Sequence, residues 1–519
     1  MSRHAYGELT TAGPRAHSAG PFPMAEVELK FAVDPASRAR LARSAPLAGA
    51  KPSRSRISTT YFDTPKAELA AHGMALRLRR AGRRWIQSLK AGGEGPGGLH
   101  VREEWEHERR GPGIDLSAFA ATPLAALHGA KRLHERLVPV FTVDVVRTTW
   151  VVEPAPGCRL EVALDVGEVR SGRRSQALSE LEIECLEGDA RCAFDLARRL
   201  LDELPMRPSA VTKAERGCRL HAGRAPAPVK ARPVALERAL PLVEAARALV
   251  RSGLAHLQAN EEGVLATTDP EFVHQARVAM RRTRSALRIF RETVGEERSR
   301  AWRDELGESA GALGEARDWD VFALESLPPA LQAYGDAALA KQVLARAARR
   351  RARGRAASRA ALAAPRHARA VLDLARWLSR ADPDPPVAAE EPLARFAARA
   401  IRKRHKRLVE DSRHLARLDA AARHRLRIDA KRLRYGVEGL ASLFAPRAIG
   451  PYRDLLAGLQ DALGEANDAA TAGRLVGELG APETFVAFAR GWFAARERGD
   501  PARLEHLVRA LRRRRPPGS

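Results

Sequence analysis

The chain has 519 residues, a length suited to about three domains, and its 45% hydrophobic and 29% charged residues exclude wholesale disorder. Lys+Arg number 89 against 63 Asp+Glu, a net charge of +26, which points to a polyanionic partner such as nucleic acid, a polyphosphate or an anionic membrane surface, although an abundance of Arg and Ala also fits a GC-rich genome. Four cysteines, Cys158, Cys185, Cys192 and Cys218, show no C-x2-C pair and exclude a zinc ribbon or a disulfide framework; no apolar signal core and no run of about 18 apolar residues appears, so the expectation is a cytoplasmic protein without a membrane span.

In chain order, residues 1–23 read as a disordered leader rich in Gly, Pro, Ser and Thr. Residues 24–222 read as a series of short alternating strands. In AEVELKFAV (25–33), Glu26, Glu28 and Lys30 share one face and Val27, Leu29 and Phe31 the other. Arg77 and Arg79 alternate in ALRLRR, Ser88 and Lys90 in WIQSLK, and Arg102, Glu104 and Glu106 in HVREEWEHE. Glu161, Ala163 and Asp165 alternate in RLEVALD, Glu180, Glu182 and Glu184 in ELEIEC, and Arg147 ends VFTVDVVR. Alternation alone does not say which face is inside, and a solvated outer face is the plain reading of any one strand. The grouping by sign is more informative. Acidic clusters sit on the first and late strands and basic residues on the middle ones. Carboxylates without Cys or His suit hard cations such as Mg2+ or Mn2+, and clustered Arg and Lys suit phosphate oxygens, so together they describe a site for a metal-bound polyphosphate chain. No G-x4-G-K-[ST] occurs, and AGGEGPGGLH (91–100) leads into a strand, so it reads as a hairpin loop.

HAGRAPAPVKARPVA (221–235) carries three Pro and supplies a linker over 223–235. From 236 the texture changes to Ala/Leu/Arg-rich helices, broken by ADPDPPVAAEEP (381–392) into halves 236–380 and 393–515. An internal repeat joins the halves. HQARVAMRRTR starts at His274 and HRLRIDAKRLR at His424 (424 − 274 = 150); RDELGESAGALGEARD starts at Arg303 and RDLLAGLQDALGEAND at Arg453 (453 − 303 = 150). On a helix, His274, Arg277, Arg281, Arg284 and Arg288 form one face, and Phe272, Ala276, Ala279, Thr283, Leu287 and Phe290 another. The second copy places His424, Arg427, Lys431 and Arg434 on one face and Leu426, Leu433, Val437 and Leu440 on another. Like charges one turn apart repel, so a helix that keeps such a stripe twice is built to meet an anion, and the Arg fork suits phosphate. RKRHKR (402–407) and RRRARGR (349–355) extend the basic surface, and Asp318 and Asp468 are expected to pair with neighbouring Arg within the bundle.

Two resemblances follow from these residues. The region 236–515 resembles the CHAD domain through its paired H-x-x-R-[VI]-x-x-[KR]-R-x-R and LGEA[RN]D segments, which implies two similar helical bundles whose basic surface, His274, Arg277, Arg281, Arg284, Arg288, His424, Arg427, Lys431 and Arg434, binds inorganic polyphosphate. Residues 24–222 resemble the CYTH domain of the triphosphate tunnel metalloenzymes. The carrying motif is Glu26-Val27-Glu28-Leu29-Lys30, accompanied in family order by TTYFDTP (59–65), MALRLRR (74–80), SLK (88–90), GGLHVREEWE (97–106), RLEVALDVGEV (159–169), SELEIECLEGD (179–189) and VTKAERG (211–217). The resemblance implies an α+β multidomain chain, with an eight-stranded antiparallel barrel enclosing a charged tunnel, followed by an all-α domain. It further implies that Glu26 and Glu28, facing Glu180 and Glu182, hold Mg2+ or Mn2+, with Glu161 and Asp165 as further metal candidates. Lys30, Arg56, Arg77, Arg79, Lys90 and Arg147 would hold the phosphates, Arg56 being set against the neighbouring Arg54. Glu104 and Lys213 would orient the attacking water, Glu104 being also a candidate for a second metal and Lys213 for holding phosphate.

The expected function is therefore a metal-dependent inorganic triphosphatase, releasing pyrophosphate and phosphate, joined to a polyphosphate-binding helical domain that could sit at polyphosphate granules. A non-enzymatic polyphosphate binder remains open, as do nucleoside, RNA or thiamine triphosphatases and adenylate cyclases of the same family. Nucleic acid is disfavoured by the 5% aromatic content and by the lack of a helix-turn-helix pattern.

Overall fold

The computed structural model describes residues 24–92, 95–127, 130–381, 391–413, 415, 420–497 and 499–518. The leader read at 1–23 and most of the Pro-rich break (382–390) lie outside them. By their contacts these residues divide into two compact units, one holding the sheet together with the Pro365–Leu378 helix and one holding the remaining long helices.

The sheet runs β1 (Met24–Val33), β2 (Ser53–Asp63), β3 (Met74–Ala81), β4 (Arg84–Ala91), β5 (Leu99–Arg109), β6 (Val138–Ala155), β7 (Cys158–Ser171), β8 (Arg174–Glu187) and β9 (Met206–Pro208). Every pairing is antiparallel, in the order β5-β4-β3-β2-β6-β7-β8-β1-β9. β1 also pairs β5 over Met24–Leu29 while holding β8 over Glu28–Ala32, so eight strands close into a cylinder. β9 extends the ladder along the last residues of β1, from Phe31 to Val33. The β3–β4 hairpin is tight because Ala81 pairs Arg84 across two residues, and Gly82 supplies the positive φ of 63° that this turn needs.

The apolar face of the wall points outward. Leu29, Phe31, Leu160, Val162, Leu181 and Ile183 are buried with Phe194, Leu196 and Leu200 of the Arg191–Glu203 helix and with Ala368, Leu372 and Ala375 of the Pro365–Leu378 helix. Leu76, Leu89 and Trp105 are buried beneath Leu69, Leu116, Phe119 and Leu124. Since successive strand side chains alternate, covering the apolar face from outside turns the charged face into the lumen. One stretch of the lumen wall is apolar as well: Tyr61, Phe141, Val143, Val145, Val169 and Leu178 pack against Ala214, Cys218 and Leu220 of the Lys213–Ala222 helix. Gly217 is required at this contact, because a Cβ there would come within 2.1 Å of the Phe141 ring.

The Pro365–Leu378 helix falls, in sequence, within the first helical half, yet it packs on the wall of the cylinder. Arg198–Asp373 and Arg369–Asp202, each 2.7 Å, and Arg376–Asp195 tie it to the Arg191–Glu203 helix. Its apolar stripe finds its partner on the barrel, a choice that periodicity cannot make.

In the helical unit the duplication is visible in the helix boundaries. Pro270–Ile289 corresponds to Ala420–Leu440 (420 − 270 = 150) and Glu296–Val321 to Pro446–Gly477 (446 − 296 = 150). The faces expected to be apolar are buried: Phe272, Ala276, Ala279, Thr283, Leu287 and Phe290 in one copy, Leu426, Leu433, Val437 and Leu440 in the other. Among the described residues no helix is long and apolar enough to cross a membrane.

Candidate active site

The centre of the lumen is a network of buried charges brought together by strand register. Arg147 on β6 stands opposite Asp165 on β7 and donates two hydrogen bonds to its carboxylate, both 2.7 Å, with a third of 2.6 Å to Glu182. Lys213, capped into place at the start of its helix by Thr212, donates to Glu180 (2.8 Å) and Glu182 (2.7 Å) and lies 2.8 Å from Asp165. Lys30 stands opposite Glu182 on β8 and bonds Glu28 at 2.8 Å and Glu182 at 3.2 Å.

A second group lines β3, β4 and β5. The Arg77 guanidinium donates to Glu104 (2.7 Å) and to Ser88 (3.0 Å) and lies 3.6 Å from Glu106, while Lys90 bonds the other oxygen of Glu104 at 2.8 Å. Arg79, half-buried on the same face, makes no hydrogen bond or ion pair among the described residues. Its proton affinity is lowered by the adjacent Arg77 charge, by burial and by Arg147.

Burial raises the proton affinity of Glu28, Asp165, Glu180 and Glu182, and the cations decide the outcome. Glu182 ends well below the ordinary carboxylate range because Lys213, Lys30 and Arg147 outweigh desolvation, and Asp165 is lowered by Lys213 and Arg147. Glu28 is lowered against burial by Lys30. Glu180 is raised, since burial there exceeds the pull of Lys213 and Lys30. Lys213 and Lys30 are both raised, their carboxylate neighbours outweighing desolvation.

Whether these residues fit a divalent cation can be judged from the donors. They are all carboxylate oxygens, the set a hard cation takes. Among the described residues no three or more His, Cys, Asp or Glu gather at metal-holding spacing, and most of the carboxylates are bonded to Lys or Arg. The best fit is where the negative charge is left over. Glu184 stands opposite Glu28 across β1–β8 and opposite Glu161 across β7–β8. Burial and these two neighbours push its carboxyl up to about 7. Glu26 pairs Arg102 in the β1–β5 register, but its side chain lies outside the described residues.

The lumen thus brings together Glu28, Lys30, Arg77, Arg79, Lys90, Glu104, Arg147, Glu161, Asp165, Glu180, Glu182 and Lys213. Arg56 is the exception. Ser55, not Arg56, stands opposite Arg147, so Arg56 belongs to the outer face of β2, where it is exposed; the neighbour Arg54 shares that face. Glu106 and Glu184 belong to the site by geometry and were legible only as members of an alternating face. Ser88 joins them as a hydrogen-bond partner of Arg77.

In the helical unit the two basic stripes converge. The Arg281 guanidinium lies over the Tyr435 ring at 5.5 Å. Lys431 is pushed down to about 7 by burial and by Arg427, Arg281 and Arg277. Arg277 and Arg288 are each lowered to about 10, burial acting first and neighbouring Arg second. The Nε atoms of Arg281, Arg284 and Arg427 are buried without a hydrogen-bond partner. The acids recur with the repeat: Arg277–Asp318 at 3.9 Å and Arg427–Asp468 at 3.8 Å. His274 is half-buried, with its proton affinity lowered by burial and Arg317, whereas His424 is exposed and bonded through Nδ1 to Asn467 at 3.2 Å. Arg434 is less available than its stripe suggests, since Glu438 accepts from its Nε at 2.8 Å.

Comparison with known proteins agrees with this division. Residues 24–218 match the family model of the CYTH domain, and residues 248–477 that of the CHAD domain. A protein of Haemophilus influenzae named inorganic triphosphatase is 31% identical over 194 residues, covering 37% of this chain and 54% of that protein; the chain spans about half the length of this relative. The crystal structure of the CHAD domain from the plant Ricinus communis is similar at 33% identity and TM-score 0.50, covering 56% of this chain and 99% of its own.

Proposed function

Because the chain carries a CYTH domain over residues 24–218 and a CHAD domain over residues 248–477, we propose that it is a metal-dependent inorganic triphosphatase whose helical domain binds inorganic polyphosphate. The observation that carries this reading is the enclosed lumen, in which Lys30, Arg77, Arg147 and Lys213 are ion-paired with carboxylates and Arg79 is left without one. A linear triphosphate is the anion that such a row of cations suits, and the relationship to a protein named inorganic triphosphatase supports it.

In this reading Arg77, Arg79, Lys90, Arg147 and Lys30 receive the phosphoryl oxygens, exchanging part of their bonds to carboxylates for bonds to substrate. Positioning and charge neutralisation then do most of the work that phosphoryl transfer demands. Glu28 and Glu184, which stand opposite one another across β1–β8, would contribute to holding Mg2+ or Mn2+, and the ion when bound would supply further neutralisation of phosphate charge. Glu104 and Lys213 orient the water, and their multiple ion pairs hold both side chains still while it attacks. The products are pyrophosphate and phosphate.

The polyphosphate reading of the helical unit is supported by the converging stripes and their unpartnered guanidinium nitrogens. Lys431, Arg277 and Arg288 are lowered by burial first and by neighbouring Arg second, and a chain of phosphates would offset the repulsive part. The deciding experiment measures phosphate release from inorganic triphosphate, ATP, thiamine triphosphate and long-chain polyphosphate, each with Mg2+ and with Mn2+. Preference for inorganic triphosphate is expected. Preference for ATP or thiamine triphosphate moves the assignment within the family, and no hydrolysis of any of them leaves a binding protein.

A further inference from the structure

The two helical halves are copies whose covers differ. In the first, the Glu296–Val321 helix is sealed by the continuous Ala337–Ala363 helix. A Cβ on Gly354 would come within 3.0 Å of Ala316, Ser358 donates to the Ala312 carbonyl at 3.4 Å, and Arg351 donates to buried Asp320 at 2.8 Å. In the second, 150 residues on, those three positions of the Pro446–Gly477 helix are Ala462, Ala466 and Ala470. Here the cover is broken, since one helix ends at Glu497 and the next begins at Pro501. Where the first copy is filled, the second holds a cavity of about 850 Å³.

Its walls are of two kinds. Leu463, Ala466, Leu504 and Val508 make one side apolar, and His424, Arg427 and Asn467 make another polar. Arg427 brings a buried Nε with no partner. Five arginines line the cavity against three carboxylates, and those three are already engaged: Glu497 by Arg423, Glu505 by Arg509, and Asp500 by the backbone N–H of Arg503. An inorganic phosphate chain would gain nothing from the apolar side and would lose hydration there. The volume lies within the range of about 300–1,000 Å³ typical of small-molecule sites.

We propose that this cavity binds a nucleotide, with its phosphates at Arg427 and His424 and its base against Leu463, Leu504 and Val508. The site belongs to the helical unit and does not depend on what the lumen hydrolyses.

The test is calorimetric titration of the full chain with ADP, and with pyrophosphate as the probe lacking a base. ADP is expected to bind, with the affinity falling at least about tenfold in Ala466→Phe, which fills the cavity, and in Arg427→Gln, while Arg79→Ala in the lumen leaves it unchanged. Circular dichroism reports whether the variants fold. Should Ala466→Phe unfold, Ala470→Glu at the exposed rim decides, because its charge opposes the phosphates without filling the core. The proposal is overturned if millimolar ADP gives no binding, if Ala466→Phe weakens pyrophosphate as much as it weakens ADP, or if ADP binding survives a folded cavity variant.

Discussion

Arg77 and Arg79 stand two positions apart on one face of β3, and only the first is neutralised: Glu104 accepts from Arg77 at 2.7 Å, whereas Arg79 has no ion pair among the described residues. A half-buried cation held beside another is a poor contributor to stability and a good receptor for an anion. Arg79→Ala is therefore expected to lower kcat/KM for triphosphate roughly 10- to 100-fold, the worth of one charged hydrogen bond of about 1.5–3 kcal/mol, while thermal unfolding stays unchanged or rises. Arg56→Ala, on the outer face of β2, should leave both unchanged. Normal kinetics in Arg79→Ala would remove the row of cations as a substrate site.

Lys213 has the opposite balance. It meets Asp165, Glu180 and Glu182 within 2.8 Å, so Lys213→Met leaves three carboxylates short of a partner. Breaking a buried pair of this kind costs about 3–5 kcal/mol, readable by urea unfolding at neutral pH. The sign of the pH dependence follows from the carboxylates. Asp165 and Glu182 are depressed by Lys213, so their contribution is present above the unfolded value near about 4 and is lost as pH falls through the folded values. The difference between wild type and variant should therefore narrow as pH is lowered below about 4. A constant difference would mean that Lys213 acts by packing alone.

Lys431, held at about 7 by burial and by Arg427, Arg281 and Arg277, is neutral in part at physiological pH. A bound polyanion restores its proton. Polyphosphate affinity should fall as pH rises from about 6 to about 9, with proton uptake on binding, and Lys431→Arg should flatten that profile because Arg stays charged. Without ligand the sign reverses. The unfolded lysine binds more protons than the folded one above about 7, so Lys431 favours folding increasingly toward its unfolded value. Titration calorimetry in buffers of different ionisation heat measures both effects.

Gly217 sits against Phe141 with no room for a methyl group. Gly217→Ala should push the Lys213–Ala222 helix away from the lumen wall at a cost of about 1–3 kcal/mol, and should lower kcat along with stability because Lys213 begins that helix. Loss of stability with kcat intact would separate the helix from the chemistry.

The sequence by itself determined what is local or repeated. Alternation put Glu28 and Lys30 on one face and Leu29 and Phe31 on the other, and the constant offset of 150 marked out paired basic helices whose apolar faces are buried as expected. Tertiary structure decided what depends on residues far apart in the chain. The register of β2 on β6 put Ser55 opposite Arg147 and left Arg56 outside. Ring closure through β1–β5, together with the helices that cover the outer wall, turned the charged face inward. The Pro365–Leu378 helix joined the barrel because its apolar stripe had a partner there, and a break after Glu497 opened in one copy of the repeat the space that the other copy fills. Side-chain period is a property of a few neighbouring residues, whereas register, closure and covering come from contacts between distant segments, and no pattern within one segment encodes them.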